Sequence, residues 1–321
     1  YDTVMEFGKA CDLITIEIEN VNTRALADLE KVGKKVFPQP HIIELIQDKR
    51  KQKQFYKEYN IPTAEFLLVE NKAEVMKHKD FLPAVNKLGR EGYDGRGVQV
   101  IRNTTDFNKA FDAPGLLEKL IDFETEISVI VARNERGEVS TFPAVEMVFH
   151  PEANLVEYLF APAQISNTVA QKATEIAERV IQSLGLVGLL AVEMFVTKEQ
   201  EVLVNEIAPR PHNSGHQTIE ANITSQYEQH LRAILGMPLG DTAAIMPSAM
   251  VNLLGEEGYS GIAQYEGLED VLKISGVHVH LYGKKQTKPF RKMGHVTLVD
   301  SDLESLKKKA NFVKQTLKVK A

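Results

Sequence analysis

The sequence contains a single cysteine, Cys11, no tryptophan and no excess of positive charge, since 38 lysines and arginines stand against 44 acidic residues for a net charge of −6. One cysteine excludes an internal disulfide and is typical of a protein in a reducing compartment. The acidic balance argues against a nucleic-acid-binding protein. The longest apolar run, Leu184 to Val192, is far shorter than the about 20 residues of a membrane-spanning helix. These absences predict a cytoplasmic protein that binds neither nucleic acid nor membranes.

The residues that are present suffice for about two domains. The 321 residues are 43% hydrophobic and 26% charged, close to the average of globular chains. Near the start, residues 13–19 alternate apolar and polar side chains, which predicts a strand, and a helix is predicted from Asn22 to the cap residue Gly33. Together with a short helix before them, they form half of an α/β layer. We find no partner strands for that half in the sequence, so we expect a missing N-terminal stretch.

Two glutamates are predicted to meet across a hairpin. Antiparallel strands are predicted over Leu189–Val196 and Val202–Ile207. A turn centred between residues 199 and 200 would pair Val196 with Leu203 and Glu193 with Glu206. Carboxylates directly opposite on one sheet face repel unless a positive group lies between them, and Mg²⁺ prefers such carboxylate oxygens. The alternative is a solvated face on which both groups point to water, although the apolar run before Glu193 indicates a buried strand.

A glycine-rich segment lies shortly after Lys87. Residues 89–97 contain four glycines and two arginines. Glycines let backbone amides approach phosphate oxygens closely and arginines add charge, which favours a lid over phosphates. The spacing fits neither the phosphate loop of nucleotide triphosphatases nor the dinucleotide fingerprint. An ordinary flexible hairpin loop therefore stays open as the alternative.

Two further segments collect residues that bind anions. The segment Asn205 to His216 continues the predicted metal strand into a loop. Beyond the strand it contains an arginine, two histidines and an asparagine, which favours an anion or substrate site. Lys284 and Arg291 flank a turn and could clamp a phosphate monoester. The ordinary alternatives are a polar surface loop for the first segment and a basic turn for the second.

Together these residues resemble the ATP-grasp superfamily, and within it the N5-carboxyaminoimidazole ribonucleotide synthases of purine biosynthesis. The resemblance extends from Leu13 to about Asp302, and its most specific pieces are Gly92–Gly97, Asn205–His216 and Arg291–His295. It implies an α/β and α+β chain with an ATP-grasp fold, a partial N-terminal Rossmann-like (pre-ATP-grasp) domain and a small C-terminal β-rich domain. The expected divisions are residues 1–45, 46–250 with a lid over about 82–120, and 251–321.

The resemblance also implies a nucleotide site between two lobes. The residues that it matches to ATP contacts are Lys49, Lys87, Gly92, Tyr93, Asp94, Gly95, Arg96, Gly97, Val98, Glu118, Lys119, Leu120, Ile121, Glu126, Asn205 and Glu206. The residues matched to the ribonucleotide are Glu19, Tyr93, Asn213, Lys284, Arg291 and Lys292, and those matched to catalysis are Asp94, Arg96, Arg210 and His212. By the same resemblance, Glu193 and Glu206 would hold Mg²⁺ or Mn²⁺, and the strand ending at Ile121 would contact adenine.

The implied reaction is an ATP-dependent carboxylation without biotin. Bicarbonate attacks the γ-phosphorus of ATP to give carboxyphosphate, which breaks down beside the exocyclic amine of 5-aminoimidazole ribonucleotide. Asp94 is the expected base, and Arg210 and His212 would hold carboxyphosphate. The implied partners are these small molecules and a second copy of the chain in a homodimer. The alternatives are another ATP-grasp ligase, such as formate-dependent glycinamide ribonucleotide transformylase, and a nucleotide-binding scaffold without catalysis.

Overall fold

The N-terminal part of the chain is a small α/β unit. The computed structural model describes residues 1–90, 97–149 and 156–321. Its first elements are α1 (Asp2–Lys9), β1 (Leu13–Ile14), α2 (Thr23–Lys31), β2 (Lys35–Val36) and α3 (Pro40–Ile46). The two strands run parallel, with Leu13 opposite Lys35. Asn22 caps α2 by accepting a hydrogen bond from the Ala25 backbone, because the first-turn amides of a helix have no partner within it.

The strand predicted over residues 13–19 was too long, and a partner strand is present in the sequence. The ladder ends at Ile14, and Ile18 is exposed although the alternation placed it with the buried isoleucines. Pro38 follows the short partner strand and has no N–H with which to extend the pairing. The Gln47 side chain instead donates to the backbone carbonyls of Glu19 and Val21. These two hydrogen bonds hold the chain after Ile14 outside the sheet.

A small antiparallel sheet follows helix α4 (Lys49–Glu58). Its elements are β3 (Phe66–Val69), α5 (Lys72–Lys77), β4 (Ala84–Leu88), β5 (Val98–Ile101) and β6 (Gly115–Lys119). The strand order is β3–β6–β4–β5, and Val69, Ile101 and Leu117 meet in its core. A helix predicted near residues 105–111 is a 3₁₀ helix at Thr104–Lys109.

A larger sheet, with nine strands in the described ranges, follows in the chain. Its first strands are β7 (Phe123–Arg133), β8 (Val139–Thr141), β9 (Val145–Phe149), β10 (Val156–Ala161), β11 (Gly188–Thr197), β12 (Val202–Ala208) and β13 (Ser248–Leu254). The α-helices described between these strands are α6 (Asn167–Leu184), α7 (Thr218–Ala221) and α8 (Gln226–Ile234). Helix α6 begins after its cap Ser166 and ends at Gly185, whose φ of 62° suits a residue without Cβ. Where three strands were predicted between residues 125 and 162, the described ranges contain four, because β8 pairs with β7.

The same sheet continues into the C-terminal part. The remaining elements are β14 (Gly261–Ile262), β15 (Gln264–Glu266), α9 (Leu268–Leu272), β16 (Val277–Leu281), β17 (Gln286–Thr287), β18 (Lys292–Val299), α10 (Leu303–Thr316) and β19 (Lys318–Lys320). Across the sheet the order is β12–β11–β7–β9–β10–β13–β18–β16. The last helix ends at Thr316 and not near Val319 as predicted, because Val319 is buried in a strand opposite Tyr265. Within the described ranges, no helix has the length and apolar character to cross a bilayer.

Candidate active site

Glu193 on β11 and Glu206 on β12 lie opposite each other, as predicted. The register that produces this pair differs from the predicted one, since Val196 lies opposite Val202, one position short of the prediction. A bulge next to Glu193 shifts the register back by one residue, so the two deviations cancel. Residues directly opposite in an antiparallel pair share a face, and the two carboxylates therefore lie on the same side of the sheet.

The bulge falls where two lysines approach the hairpin. In a regular strand, Asn205 and Glu206 would point to opposite faces, whereas a bulge lets both neighbours face one site. Lys87 Nζ on β4 donates to Asn205 Oδ1 over 2.9 Å, and Lys49 Nζ forms an ion pair with Glu206 Oε2. Lys49 is the first residue of α4. The small sheet, the helix start and the larger sheet therefore meet at this pair of side chains.

A buried ion-pair network lies behind these lysines. Glu118 on β6 is 2% exposed and pairs with Lys53 on α4 and with Lys87, the latter over 2.6 Å. Burial alone would raise the pKa of Glu118, but the two lysines hold it below its usual value. The residue matched to adenine contacts thus has its carboxylate engaged by lysines inside the small sheet.

Lys53 is a residue of the site region that the sequence analysis missed. Its ammonium group is buried, contacts Thr63 Oγ1 as well as Glu118, and burial lowers its pKa to about 8. Lys49 and Lys53 are four residues apart and so lie on one face of α4. That spacing within the basic helix was the available signal.

Burial and charge separate the states of the acidic side chains. Lys49 lowers the pKa of Glu206, whose side chain is 43% exposed, while burial and the charge of Glu206 raise the pKa of Glu193. Burial also raises the pKa of Glu126, on the neighbouring strand β7, to about 7. At neutral pH Glu206 is therefore ionised, whereas Glu193 and Glu126 retain protons more readily than exposed carboxyls do.

The loop after β12 carries His212, which lies beside Glu193, and Arg210, which pairs with Glu19. His212 Nε2 lies 3.5 Å from Glu193 Oε1, and its Nδ1 accepts the Ser214 N–H over 3.3 Å. Burial lowers the pKa of His212 to about 3, so the ring is neutral near pH 7. Because a backbone N–H can only donate, the Nδ1 that accepts it carries no proton, and the ring proton is then on Nε2. Arg210 Nε forms an ion pair with Glu19 Oε1 over 2.8 Å, which ties the loop to the N-terminal part.

The residues matched to the ribonucleotide phosphate lie at the start of β18 and beside it. Lys284 Nζ donates to the Lys292 carbonyl over 2.6 Å, and Arg291 donates to the Gln286 carbonyl on β17 over 2.9 Å. After burial itself, the charges of Arg210 and Lys292 contribute to the lowered pKa of His212. Lys292 is therefore within electrostatic reach of the histidine.

The other predicted positions divide between strand ends and undescribed residues. Gly97, Val98, Lys119, Leu120 and Ile121 lie on or next to the ends of β5 and β6. Asn213 Nδ2 donates to Asn252 Oδ1 on β13 over 2.8 Å. Gly92, Tyr93, Asp94, Gly95 and Arg96 lie outside the residues that the structure describes.

The carboxylate pair suits a divalent cation that is shared with phosphates. In the part of the chain that the structure describes, no group of three or more histidine, cysteine, aspartate or glutamate side chains could hold a metal ion. Mg²⁺ at a nucleotide site needs only one or two protein carboxylates, because phosphate oxygens and water complete its shell. Glu193 and Glu206, opposite and mutually repelling, provide such a partial ligand set.

Matches to protein-family models agree with this geometry. The ATP-grasp domain model matches residues 54–227, and a ribonucleotide synthetase preATP-grasp domain model matches residues 1–47. The model of the phosphoribosylaminoimidazole carboxylase C-terminal domain matches residues 248–309. The chain is thus an ATP-grasp protein with a preATP-grasp region before the ATP-grasp domain and a further domain after it, which confirms the predicted fold class.

Comparison with individual proteins shows which members of the ATP-grasp class this chain resembles in sequence and fold. The chain is 39% identical over 301 residues to an N5-carboxyaminoimidazole ribonucleotide synthase of Synechococcus elongatus, covering 91% of this chain and 75% of the relative. The crystal structure of the synthetase from Thermotoga maritima superposes with a TM-score of 0.92 at 43% identity, over 100% of this chain and 85% of that one. An Aspergillus clavatus synthase, solved in complex with ADP and 5-aminoimidazole ribonucleotide, has a TM-score of 0.88 at 31% identity, over 98% and 84% of the two chains.

The chain belongs to the N5-carboxyaminoimidazole ribonucleotide synthase family. It spans between 56% and 78% of the length of four curated relatives, of which two are named phosphoribosylaminoimidazole carboxylase.

Proposed function

We propose that the chain catalyses the ATP-dependent carboxylation of 5-aminoimidazole ribonucleotide to N5-carboxyaminoimidazole ribonucleotide in purine biosynthesis. Bicarbonate supplies the carboxyl group, and ATP is converted to ADP and phosphate. The observation that carries the proposal is the convergence of Glu193, Glu206, Lys49, Lys87 and His212 at one site in a chain of this family. This set combines groups for a metal–phosphate complex with groups for a carboxylated intermediate.

On this proposal, Lys49 and Lys87 contact the phosphates of ATP. Each lysine already lies against a side chain of β12, so a phosphate oxygen would replace or share an existing contact. Glu193 and Glu206 would hold Mg²⁺, or Mn²⁺, which would neutralise charge on the transferred phosphoryl group. The strand end at Glu118–Ile121 and the Glu126 carboxylate are assigned to adenine and ribose.

The carboxylation takes place in three steps, which are formation of carboxyphosphate, its breakdown and carboxylation of the amine. An oxygen of bicarbonate bonds to the γ-phosphorus while the bond to the ADP oxygen breaks, giving carboxyphosphate. The bond from its carbon to the bridging oxygen then breaks to release CO₂ and phosphate. The exocyclic amine nitrogen bonds to CO₂ and transfers a proton to the base, a role assigned to the Asp94 carboxylate. Arg210 and the neutral His212 would hold the anionic intermediate, since the arginine supplies charge and His212 Nε2 supplies a hydrogen bond.

The ribonucleotide is assigned to the basic residues at β18 and to Asn213. Lys284, Arg291 and Lys292 would surround its phosphate monoester, for which a cluster of cations is the usual recognition chemistry. Glu19, matched to the substrate, pairs with Arg210 and so has the further role of holding that arginine.

We also assign the chain to the cytoplasm as a homodimer. Tyr227, Leu231 and Leu235 form an apolar ridge at four-residue intervals along α8, each at least 39% exposed. Met237 is exposed just beyond it. Exposed apolar surface of this kind is typical of an interface, and a two-fold axis would let the ridge pack on its own copy.

The function is tested by measuring ADP release from the chain with Mg²⁺, ATP and combinations of co-substrates. The proposal expects release that requires both bicarbonate and 5-aminoimidazole ribonucleotide. Release that requires formate and glycinamide ribonucleotide instead would identify a transformylase. Binding of MgATP without turnover under every combination would identify a nucleotide-binding scaffold.

A further inference from the structure

The Gln226 side chain is buried beside the loop of residues 209–217, which carries Arg210 and His212 and is called the catalytic loop below. Among the residues that the structure describes, its hydrogen bonds do not reach the side chains assigned to ATP. It is the first residue of α8, after the cap Ser225, and is 0% exposed. Its carboxamide carries one acceptor and two donors, and a buried amide of this kind is costly unless all are used. Four hydrogen bonds join Gln226 to the segment from His212 to Thr218. Its side chain also interacts with the hydroxyl of the adjacent Tyr227.

The carboxamide pairs with both backbone groups of His212. The His212 N–H donates to Gln226 Oε1 over 2.8 Å, and Gln226 Nε2 donates to the His212 carbonyl over 2.8 Å. Gln226 Nε2 also lies 3.1 Å from His216 Nδ1. The carboxamide therefore pairs with the His212 backbone as a neighbouring β-strand would, and it also reaches His216 in the same loop.

The loop is held from its other end by the same helix start. The Gln226 N–H donates to Thr218 Oγ1 over 2.8 Å, and the Thr218 hydroxyl donates to the Gly215 carbonyl over 2.5 Å. A Cβ on Gly215 would lie 2.2 Å from Ile130 Cδ1 and 2.5 Å from Gln226 Oε1, both closer than real Cβ atoms come. Gly215 is thus required by the close approach of Ile130 and of this carboxamide, and the loop has little room to shift.

We propose that Gln226 is a positioning residue that sets the backbone of His212 and so directs the His212 ring toward Glu193. The proposal rests on the function proposed above. Once the backbone of His212 is set, its Nδ1 accepts the Ser214 N–H and its Nε2 is directed to Glu193. Removal of the carboxamide would free both backbone groups and let the ring turn away from the carboxylate.

A matched control is present on the same helix. Gln229 is also 0% exposed and also pairs with both backbone groups of one residue, donating to the Gly240 carbonyl over 3.0 Å and accepting its N–H over 2.8 Å. Gly240 is not among the residues of the site. Gln226→Met and Gln229→Met therefore remove the same chemistry from equally buried positions, and only the first touches the catalytic loop.

The test compares steady-state kinetics with nucleotide binding in both variants. In Gln226→Met we expect kcat/KM for 5-aminoimidazole ribonucleotide to fall by about 10²-fold, the scale reported for small misplacements of reacting groups. The affinity for MgADP, measured by calorimetry, should be unchanged because Lys49 and Lys87 lie on other elements. Gln229→Met should keep both quantities near those of the unsubstituted chain. Equal activity in the two variants would overturn the proposal.

A second variant covers the case in which Gln226→Met does not fold. Gln226→Glu keeps the volume, but its ionised carboxylate would face the His212 carbonyl and repel it. Activity should then be reduced near neutral pH and recover toward acid pH relative to the unsubstituted chain, because a protonated carboxyl can donate to that carbonyl. A pH profile parallel to that of the unsubstituted chain would count against the role of Gln226.

A nitrogen NMR measurement of the His212 ring separates this inference from the proposed reaction. The unsubstituted chain should show the tautomer protonated on Nε2, with the signal assigned from a His212→Gln variant. Gln226→Met should show a mixture of the two tautomers. If only Gln226→Glu folds, we expect the same mixture in that variant for the same reason. An unchanged ring signal would refute the inference even if the chain proved inactive, and a changed signal in an inactive chain would refute only the reaction.

Discussion

At the scale of single residues, one lysine decides the electrostatics of the carboxylate pair. Lys49 lies against Glu206 and lowers its pKa, while Glu193 is half-buried with that negative charge opposite and has a raised pKa. The pair is therefore unequal although its two members occupy equivalent positions in the ladder. A divalent cation between them would remove the reason for the inequality, because it stabilises both ionised forms.

Removing one charge from this pair should weaken nucleotide binding that depends on metal. In Glu206→Gln we expect the affinity for ATP in the presence of Mg²⁺ to fall by about 10- to 100-fold, since hydrogen bonds to charged groups contribute about 1.5–3 kcal/mol. Calorimetry with and without Mg²⁺ measures the effect. Glu201→Gln, an exposed position in the same hairpin, serves as the control. An unchanged metal requirement in Glu206→Gln would contradict the assigned role.

The half-buried carboxyl of Glu126 should make the stability of the unliganded chain depend on pH. Its folded pKa is raised to about 7 from a usual value of 4.5. A raised carboxyl pKa stabilises the folded state fully below the unfolded pKa, and this stabilisation is lost as the pH rises through the folded pKa. Relative to Glu126→Gln, the free energy of unfolding should therefore fall between about pH 4.5 and pH 7, by at most about 3 kcal/mol.

Urea unfolding across this pH range measures the difference. Glu124→Gln is the matched control, because Glu124 is exposed on the same strand. Parallel curves for the unsubstituted chain and Glu126→Gln would show that Glu126 has an ordinary pKa.

At the scale of elements, helix α4 and the β11–β12 hairpin bring the site together. The helix presents Lys49 and Lys53 on one face, so that one helical turn supplies cations to both the larger sheet and the small one. The hairpin supplies consecutive polar side chains through its bulge. Each of these two lysines of α4 is thus paired with a carboxylate on a strand, Lys49 with Glu206 and Lys53 with Glu118.

Breaking the buried pair within this network should be costly. We expect Lys53→Met to lower the free energy of unfolding by about 3–5 kcal/mol, because Glu118 then keeps a buried charge with one of its two lysines removed. Lys51→Met, on the exposed face of the same helix, should change it by less than about 0.5 kcal/mol.

The double variant Lys53→Met/Glu118→Leu identifies the cause of that loss. Replacing both partners by apolar groups removes the unpaired charge, so stability should partly return in chemical denaturation. Simple addition of the two single losses would mean that the pair has no coupling.

At the scale of the whole molecule, one continuous sheet joins the regions matched by two family models. Strands β12, β11, β7, β9 and β10 lead into β13 and β18, so the basic residues at β18 are fixed relative to the carboxylate hairpin. The N-terminal part is joined to the same site by the ion pair between Glu19 and Arg210. The domain divisions at residues 45 and 250 stay predictions.

The apolar ridge on α8 should control the oligomeric state. Placing a charge at its centre, in Leu231→Glu, would bury an unpaired carboxylate in a dimer interface and should shift the chain toward monomer. Light scattering coupled to size exclusion measures the mass directly. Leu272→Glu changes an exposed leucine on α9 and should leave the mass unchanged. A monomeric unsubstituted chain, or a dimer that persists in Leu231→Glu, would refute this interface.

Local patterns predicted some elements well and others poorly. The long helix α6, with its serine cap and terminal glycine, lies where periodicity and caps placed it, since those signals involve neighbouring residues. The strand after residue 13 was too long because alternation reports which side chains are buried and does not report a hydrogen-bonded ladder. The hairpin pair at Glu193 was predicted correctly with an incorrect register, because the loop and the bulge were both invisible in the pattern.

The sequence by itself determined the chemistry of this protein: a pair of glutamates on adjacent strands, a glycine-rich segment, and an arginine–histidine loop, which together indicated the family. Only the tertiary structure decided which charges meet. Lys49 and Glu206 are 157 positions apart, and the spacing that placed Lys53 on the face of Lys49 did not show that its partner would be Glu118. Contacts between distant segments depend on how sheets and helices pack, and no local spacing in the chain encodes them.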